Sequence, residues 1–356
     1  MSRFDSKAIS EIAPYVAGEQ PKDMKYVKLN TNENPYPPSP KVEKAIKNFD
    51  YSSMRLYPDP DASVLKAAIS KAESVNTENV FCSNSSDEIL AMVFMAFFGG
   101  GKEVAFPDIT YSFYPVWCDV FGAKAKIVPL KPDWNIDFEK IPAGCGGMVV
   151  CNPNAPTGIA VKRERIEKTA ADNRDSLIVC DEAYIDFGGE SSVELTKHYD
   201  NIIVVKTLSK SRSLAGARVG YAIANADLIK TLEKTKNSFN SYTLDRFTIE
   251  IAAAAVEDEQ YFESCCKKII GTRDRAVEEL RNIGFEALDS SANFIFVSPP
   301  KAKISAKDLY LQLKSHGVLV RYWDKPRISD WLRISIGTDG EMKTLVEKIK
   351  EIIAID

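Results

Sequence analysis

The chain has 356 residues, 45% of them hydrophobic, and it carries 46 Lys and Arg residues against 50 Asp and Glu residues. This length predicts about two domains and a hydrophobic core large enough to need no disulfide or metal ion. The net charge of −4 argues against nucleic-acid binding, which requires a basic surface. The seven cysteines are odd in number and include no CxxC pair, a pattern typical of reduced packing residues in a cytosolic protein.

The chain has few histidines and no recognisable targeting segment. His198 and His316 lie far from any Gly-rich or Ser-centred motif, so we expect neither a zinc site nor catalysis by imidazole. The N-terminus lacks the basic and apolar segments of a secretory signal, and no apolar run reaches the roughly 20 residues of a membrane span. These patterns predict a cytoplasmic protein with no metal, membrane or nucleic-acid partner.

The N-terminal part predicts an extended segment followed by a helix. The proline-rich stretch TNENPYPPSP, residues 31–40, is typical of an extended loop. Ser39 is suited to cap a helix and Pro40 to occupy its first position. Residues 1–29 before this loop are expected to form an N-terminal segment that packs with a small domain and with the active site.

The middle of the chain alternates short apolar runs with helical patterns. The runs are VFC, EVAF, AKIVPL, GMVVC, SLIVCDEAY, NIIVVKTLSK and RVGYAIA. This alternation predicts an α/β fold with a mostly parallel sheet sandwiched by helices. SLIVC and NIIVV are apolar without alternation, as expected for strands that are covered on both faces. We expect this sheet to form a large domain over residues 30–265.

The pattern changes after about Leu244. A long helical stretch follows, with apolar residues at steps of three and four. After Gly284 come the runs FEAL, NFIFV, AKDLYLQLKSHG, VLVRYW and WLRISIG and a last amphipathic helix. They predict a smaller α+β domain over residues 266–356.

Several chemically useful side chains follow the predicted strands. Ligands of open α/β sheets bind beyond the carboxyl ends of the strands. One strand ends near Thr207, Ser209 and Lys210, and another ends near Asp181 and Tyr184. A third run continues into the turn of GMVVCNPNAPTG. The lysine and the aspartate can therefore face a single site.

These residue types match the needs of pyridoxal phosphate. A lysine that burial or a nearby cation keeps partly neutral can form a Schiff base with this aldehyde. The cofactor also needs an acid at its pyridine nitrogen, a hydroxyl donor at its phenolic oxygen and several donors at its phosphate. Asp181, Tyr184 and the group of Thr207, Ser209 and Arg218 supply these functions.

Each of these residues alone also has an ordinary structural explanation. A lysine at a strand end is usually solvated, and Asp181 suits a helix cap or a turn. The stretch SNSSDEIL predicts a helix opened by Ser85 or Ser86, which is also a suitable place for a phosphate. Tyr111 is typical of a core residue. FFGGGKE lacks the first Gly and the final Ser or Thr of a phosphate-binding loop.

The combination of motifs is more specific than any one of them. SNSSDE, ITYSFYP, NPNAPTG, DEAY, TLSKSRSLAGARVGY and WLRISIG occur in this order along one α/β chain. Together with APYVAGE, LNTNENPYPPSP and RLYPDPD, they resemble the fold-type I pyridoxal-phosphate aminotransferases of class I/II. Within that family the chain resembles the enzymes of histidine biosynthesis. The resemblance spans almost the whole chain.

The resemblance implies a role for each residue of the cofactor site. Lys210 of TLSK matches the Schiff-base lysine, which also moves the proton between the substrate Cα and the cofactor. Asp181 and Tyr184 of DEAY match the groups at the pyridine nitrogen and the phenolic oxygen. Tyr111 matches the ring stacked on the cofactor. The phosphate-binding group matches Ser86, Asp87, Thr207, Ser209 and Arg218.

Two positions depart from the family pattern. The family turn usually carries an Asn that donates to the phenolic oxygen, and here that position is Ala155. Either Asn154 or Asn152 takes over, or Tyr184 acts alone; Asn154 is our candidate cofactor ligand. Ser85 stands where the family often has Gly, so the local backbone path is expected to differ.

The resemblance also implies a substrate site that two subunits share. Arg333 matches the arginine that binds the α-carboxylate of an amino acid, a task suited to a planar guanidinium. Arg321 on the neighbouring strand matches a ligand for the phosphate of a second substrate. Tyr15 and Asn32 line the entrance, and Tyr57 reaches in from the partner subunit, so a homodimer is expected.

The implied reaction is a reversible transamination. L-Histidinol phosphate and 2-oxoglutarate are on one side, and imidazole-acetol phosphate and L-glutamate are on the other. Two enzymes on the same scaffold stay open as alternatives, a lyase resembling threonine-phosphate decarboxylase and an aromatic amino-acid aminotransferase. A silent pyridoxal-phosphate-binding regulator would need an added DNA-binding segment, for which the chain has neither length nor basic charge. A nicotinamide dehydrogenase is disfavoured because no GxGxxG follows a strand.

Overall fold

The computed structural model describes residues 3–4, 7–142 and 144–354. The strands are β1 Val27–Lys28, β2 Val80–Asn84, β3 Glu103–Pro107, β4 Lys124–Val128, β5 Gly147–Cys151, β6 Leu177–Asp181, β7 Ile202–Thr207, β8 Val219–Ala224, β9 Glu286–Ala287, β10 Phe294–Ser298, β11 Val318–Leu319, β12 Arg321–Tyr322 and β13 Leu332–Ser335. The helices are α1 Lys7–Glu11, α2 Pro40–Asn48, α3 Ser63–Glu73, α4 Ser85–Val93, α5 Phe113–Phe121, α6 Arg163–Asp172, α7 Ala226–Phe239, α8 Arg246–Glu257, α9 Glu259–Asn282, α10 Ala306–Ser315 and α11 Asp339–Ala354.

The larger sheet has seven strands in the order β2-β8-β7-β6-β5-β3-β4. Only β8 runs antiparallel to its neighbours, so the predicted mostly parallel sheet is confirmed. Every residue of β5, β7 and β8 is buried, which agrees with their continuous apolar runs. The sheet therefore forms the core of the larger part of the molecule.

The C-terminal part is built on a four-stranded antiparallel sheet in the order β12-β13-β10-β9. The predicted single strand VLVRYW is divided at Val320 into β11, which pairs with β1 near the N-terminus, and β12, which joins this sheet. The pairing of β1 with β11 attaches the N-terminal segment to the C-terminal part.

The long helical stretch after Leu244 is two helices and not one. The break lies at Asp258, whose backbone angles of φ −94° and ψ 65° leave the helical region. Helix α8 packs against α2 and α3 of the larger part, whereas α9 packs against β9 and α11. The domain boundary predicted at residues 265 and 266 falls inside α9 and stays a prediction.

Two local predictions are also confirmed, the start of helix α2 and the free, buried cysteines. Helix α2 begins at Pro40, and the side chain of Ser39 accepts a hydrogen bond from the Val42 backbone N–H. All seven cysteines are buried free thiols. In the part of the chain that the structure describes, no helix is long and apolar enough to cross a bilayer.

The parallel strands end at one edge of the larger sheet. Strand β6 ends in Asp181 and β7 ends in Thr207. The neighbouring β8 runs in the opposite direction, so it starts at this edge, directly after Arg218. Strand β2 leads directly into α4 at the same edge. The fold thus gathers side chains from distant parts of the sequence.

Gly220 of β8 packs directly on the start of α4. A methyl group at this position would lie 2.4 Å from the backbone nitrogen of Ser86 and 2.5 Å from the carbonyl carbon of Ser85. Backbone atoms cannot move aside as the end of a side chain can, so only glycine allows this approach of strand and helix.

We expect Gly220→Ala to lower the free energy of unfolding by about 1–3 kcal/mol, because the added methyl group overpacks the contact. Urea denaturation measures this change. Gly216→Ala is the matched control, since a methyl group there meets no atom within 4 Å. Equal stabilities of the two variants would contradict the prediction.

Candidate active site

A cavity of about 500 Å³ lies between the strand ends of the larger sheet and strands β12 and β13. It brings together most of the residues that the sequence predicted. They are Tyr15, Asn32, Ser86, Asp87, Tyr111, Asp181, Tyr184, Thr207, Ser209, Lys210, Arg218, Arg321 and Arg333. The predicted residues Asn154 and Tyr57 are not among the residues that line it.

Lys210 follows β7 and extends its amine into the cavity. The Nζ atom donates to the carbonyl oxygen of Thr31 at 3.3 Å and lies 5.7 Å from the centre of the Tyr184 ring. Burial, helped by the positive charge of Arg333, lowers the pKa of Lys210 to about 8. A sizeable fraction of the amine is therefore neutral, and so nucleophilic, near physiological pH.

Asp181 lies on the cavity floor with 3% of its surface exposed. Its carboxylate accepts a hydrogen bond from the Tyr114 hydroxyl at 2.7 Å and a weaker one from the Ala183 backbone N–H at 3.3 Å. Burial raises the pKa of Asp181 from its usual 3.8 to about 6, although the Tyr114 bond opposes the rise. A buried carboxylate of this kind strongly favours a cationic partner.

Tyr184 stands between the two sheets. Its ring meets the Phe294 ring edge to face at 5.0 Å, and its hydroxyl accepts a hydrogen bond from the Asn32 side-chain amide at 3.1 Å. Burial raises the pKa of Tyr184 to about 12, so the hydroxyl keeps its proton at neutral pH.

The N-terminus of α4 forms another wall of the cavity. Ser85 opens the helix as predicted, with a left-handed φ of 69°, but neither serine side chain caps it. The Glu88 carboxylate instead accepts from the backbone N–H of Asn84, the residue before the helix, and from the Ser83 hydroxyl. The N–H groups of the first turn have no partner within the helix, and they can bind an anion.

A network of polar side chains stands beside this helix end. The Asp87 carboxylate accepts from the Tyr111 hydroxyl at 2.8 Å and from the Arg218 guanidinium at 3.0 Å. The Thr207 hydroxyl donates to the Ser209 hydroxyl at 3.0 Å. Asp87 therefore holds the arginine and the aromatic ring in place, while the arginine and the hydroxyl groups offer donors to an anion.

Arg321 and Arg333 face each other across two antiparallel strands. They are register partners in β12 and β13, and the Trp323 ring lies 5.3 Å from each guanidinium. Arg333 donates to the Asn30 carbonyl oxygen at 2.8 Å, and Arg321 donates to main-chain carbonyls of the N-terminal segment. Like charges directly opposite each other are destabilising, and an anion bound between them would remove the repulsion.

The two predicted tyrosines of the entrance differ in position. Tyr15 stacks on Phe113 with ring centres 4.5 Å apart and lies at the cavity mouth. Tyr57 is 78% exposed and stacks on Tyr242 at 4.8 Å, outside the lining of the cavity. A single chain therefore does not bring Tyr57 to its own cavity.

The asparagines near Ala155 turn away from the cavity. Asn152 makes two hydrogen bonds with the main chain of Val161. The Asn154 side chain donates to the Ile109 carbonyl oxygen and accepts from the Thr110 hydroxyl. Of Asn152, Asn154 and Ala155, only Ala155 lines the cavity. Neither amide is therefore available to replace the asparagine that the family usually has there.

Comparison with known proteins identifies the family to which the chain belongs. The model of the family "Aminotransferase class I and II" matches residues 24–349. The chain belongs to this family. The lysine, the paired arginines and the polar helix end described above thus lie within an aminotransferase scaffold.

Curated relatives and solved structures agree with this assignment. The histidinol-phosphate aminotransferase of Clostridium botulinum (strain Okra) is 49% identical over 353 residues, which cover 99% of each chain. That of Acinetobacter baylyi is 50% identical over 351 residues, 98% of this chain and 97% of its own. The structure of histidinol-phosphate aminotransferase from Sinorhizobium meliloti, in complex with pyridoxal-5′-phosphate, matches with a TM-score of 0.90. The match covers 100% of this chain and 99% of the Sinorhizobium meliloti chain. At 24% identity it shows that the two proteins share a fold.

The sequence did not predict some residues in and around this aminotransferase cavity. Tyr114, which lies outside the cavity lining, donates a hydrogen bond to Asp181, and the Trp323 ring lies 5.3 Å from each of the two guanidinium groups. Tyr114 lies in the motif ITYSFYP, three residues after Tyr111, and the two rings meet edge to face at 5.7 Å although Tyr111 precedes helix α5. Trp323 carries no comparable signal, because its role depends on the register of two strands.

Asp181→Asn is expected to stabilise the ligand-free aminotransferase at high pH only. Between about pH 4 and pH 6 the folded chain keeps a proton on Asp181 that the unfolded chain releases, so stability falls as the pH rises. Asparagine removes this loss, which amounts to about 3 kcal/mol at pH 8 and almost nothing at pH 4.

Urea unfolding of wild type and Asp181→Asn at pH 4 and at pH 8 measures the difference in the free energy of unfolding. Asp289→Asn is the control, since its side chain is 96% exposed and its ion pair with Arg281 contributes at most about 1 kcal/mol. Parallel pH profiles of wild type and Asp181→Asn would show that the buried charge carries no such cost.

Proposed function

We propose that the chain is a pyridoxal-phosphate-dependent aminotransferase. It transfers the amino group of L-histidinol phosphate to 2-oxoglutarate, which gives imidazole-acetol phosphate and L-glutamate, and it also catalyses the reverse reaction. The paired arginines carry this proposal. They offer one anion site to two unlike substrates, because one substrate has an α-carboxylate and the other has a phosphate. The curated relatives, about half identical over nearly the full length, are named for this reaction.

The cavity residues fit pyridoxal phosphate. The contact of Gly220 with the start of α4 leaves the first-turn N–H groups beside Arg218 and Ser209, as a phosphate requires. Asp181 is a buried carboxylate that forms no ion pair among the described residues, and a protonated pyridine nitrogen would supply a cation. Tyr111 and Tyr184 complete the set with a flat ring and a hydroxyl donor.

When bound, pyridoxal phosphate supplies a carbonyl that takes up the amino group and a ring that draws electrons from the substrate Cα. Lys210 would hold the cofactor through its ε-amine. With this amine free, Lys210 would move the proton between the substrate Cα and the cofactor. Its lowered pKa, about 8, suits both roles near neutral pH.

The substrate anion is oriented by Arg333 and Arg321. A bidentate contact with either guanidinium fixes the substrate against the lysine, and burial of Arg333 between the Phe294 and Trp323 rings strengthens the contact. Tyr15 at the mouth helps to exclude water. We expect the α-carboxylate to bind Arg333 and the substrate phosphate to extend to Arg321.

A half-reaction tests the proposal. The protein is purified with pyridoxal phosphate, and L-histidinol phosphate is added without a keto acid. We expect the visible absorption of the bound cofactor to be lost as the cofactor takes up the amino group, and to return with 2-oxoglutarate. Release of CO₂ from phosphothreonine without this exchange would instead support the decarboxylase, and exchange with phenylalanine alone would support the aromatic aminotransferase.

Arg321→Gln separates the two substrates. We expect it to weaken kcat/KM for L-histidinol phosphate by about 10- to 100-fold, because a hydrogen-bonded charge pair is lost, and to affect L-glutamate much less. Steady-state kinetics with both donors measure this split. Arg281→Gln is the control, since Arg281 carries the same charge and lies outside the cavity lining. Equal losses for both substrates would contradict the assignment of Arg321.

We further propose a cytoplasmic homodimer with shared active sites. The turn after α2 exposes Tyr51, Met54 and Tyr57, and the last of these stacks on the half-exposed Tyr242. Such a group of exposed apolar residues is typical of an interface. A second copy that covers it would carry Tyr57 to the neighbouring cavity, as the sequence resemblance implies. The buried free thiols suit a reducing compartment.

Mixed dimers test the origin of Tyr57. Lys210→Ala and Tyr57→Ala subunits are each expected to have little activity alone. A refolded equimolar mixture should recover about a quarter of the wild-type rate, because half of the dimers then hold one site with an intact lysine and a partner tyrosine. Activity assays before and after mixing measure this recovery. If the mixture recovers no activity, Tyr57 acts in the active site of its own subunit or in neither active site.

A further inference from the structure

Ser335, at the end of β13, makes two hydrogen bonds to Asn32. Its hydroxyl accepts the backbone N–H of Asn32 at 2.8 Å and donates to the side-chain oxygen of the same residue, also at 2.8 Å. Both residues are buried, with 2% and 1% of their surfaces exposed. Because the serine already accepts from the main chain, its own proton is directed to the asparagine oxygen.

These bonds determine the orientation of the Asn32 amide. With its oxygen held by Ser335, the amide nitrogen points to the Tyr184 hydroxyl at 3.1 Å. Asn293 further holds the main chain, since its side chain donates to the Asn32 carbonyl oxygen at 3.0 Å. The φ of Asn32 is 55°, a left-handed conformation that asparagine tolerates better than most residues.

The oriented amide leaves the proton of Tyr184 available. The hydroxyl oxygen accepts from Asn32, so it cannot donate in that direction. In the described part of the chain the hydroxyl has no other hydrogen-bond partner, and Tyr184 lines the cavity. Its proton is therefore free to be donated to a ligand there.

Ala155 explains why this orientation matters in this chain. Aminotransferases that resemble it usually have a second donor to the cofactor's phenolic oxygen at that position, and alanine has none. The nearby amides of Asn152 and Asn154 are bound to the main chain and to Thr110. Tyr184 thus offers this oxygen a hydroxyl donor that does not depend on the missing amide.

We propose that Ser335 and Asn32 are positioning residues that orient the Tyr184 hydroxyl as the donor to the cofactor's phenolic oxygen, and so compensate for the amide that Ala155 lacks. This inference rests on the proposed function for the identity of the cofactor. A donor at this oxygen stabilises its anionic form, and it therefore lowers the pH at which the bound cofactor loses its proton.

Other charged and titratable groups also act on Tyr184. Burial raises its pKa, while Arg333 on β13 and the Asn32 amide lower it. Cys151 on β5 and Asp181 on β6 raise it, and the Lys210 amine lies 5.7 Å from its ring. The test must therefore change the orientation of the hydroxyl without adding or removing a charge.

Asn32→Gly and Ser335→Ala meet this condition. Glycine retains the left-handed backbone at position 32, and both changes are neutral. The measurement is a pH titration of the visible absorption of the holoenzyme, with circular dichroism to confirm folding. We expect the midpoint to rise by about one pH unit in Asn32→Gly and by about half a unit in Ser335→Ala, as expected for weakening one hydrogen bond to a charged group.

Reference variants make the outcome decisive. Tyr184→Phe removes the donor and should raise the midpoint at least as far. Ser298→Ala, a buried serine of β10 outside the cavity lining, should leave it unchanged. Adding Ala155→Asn to Ser335→Ala should bring the midpoint back towards the wild-type value, because it restores an amide donor.

The results separate this inference from the proposed function. A visible cofactor band with midpoints that rise in Asn32→Gly and Ser335→Ala, and that fall again with Ala155→Asn, supports the positioning role. Unchanged midpoints in both variants, with a rise in Tyr184→Phe, overturn the positioning role alone. A wild-type protein with no visible band overturns the proposed function and this inference with it.

Discussion

The positive charge of one cavity is the constraint on which the rest of the site depends. In the described part of the chain its lining has six basic side chains, Lys210, Arg218, Arg321, Lys325, Arg327 and Arg333, against three acidic ones, Asp87, Asp108 and Asp181. Two of the arginines face each other across paired strands. Repulsion of this kind is tolerated where a ligand relieves it, so the fold is suited to bind anions at two places, beside α4 and between β12 and β13.

Burial changes the protonation of the two central groups in opposite directions. It lowers the pKa of Lys210 to about 8 and raises the pKa of Asp181 to about 6, because the charged form of each group is disfavoured away from water. A partly neutral amine is ready to react, and a carboxylate without a cation is ready to bind one. The stability of the ligand-free fold is reduced at the same residues that make the site reactive.

Uncharged neighbouring side chains orient the functional groups of the cavity through hydrogen bonds. Tyr114 holds Asp181, and Asn32 holds the Tyr184 hydroxyl. Asn32 lies in the extended segment near the N-terminus, whereas its partner Ser335 lies 303 residues further along the chain. Correct folding of both sheets is therefore needed to orient one hydroxyl group.

The sequence alone determined the α/β class, the order of the strands along the chain and many of the chemically functional residues of the cavity. Those features depend on local apolar runs and short motifs, such as the lysine after NIIVVKTLS and the acid and tyrosine of DEAY. The break at Asp258, the division at Val320 and the roles of Trp323 and Ser335 were decided only by the tertiary structure. Each depends on packing or register between segments far apart in the chain, and no local pattern records such contacts.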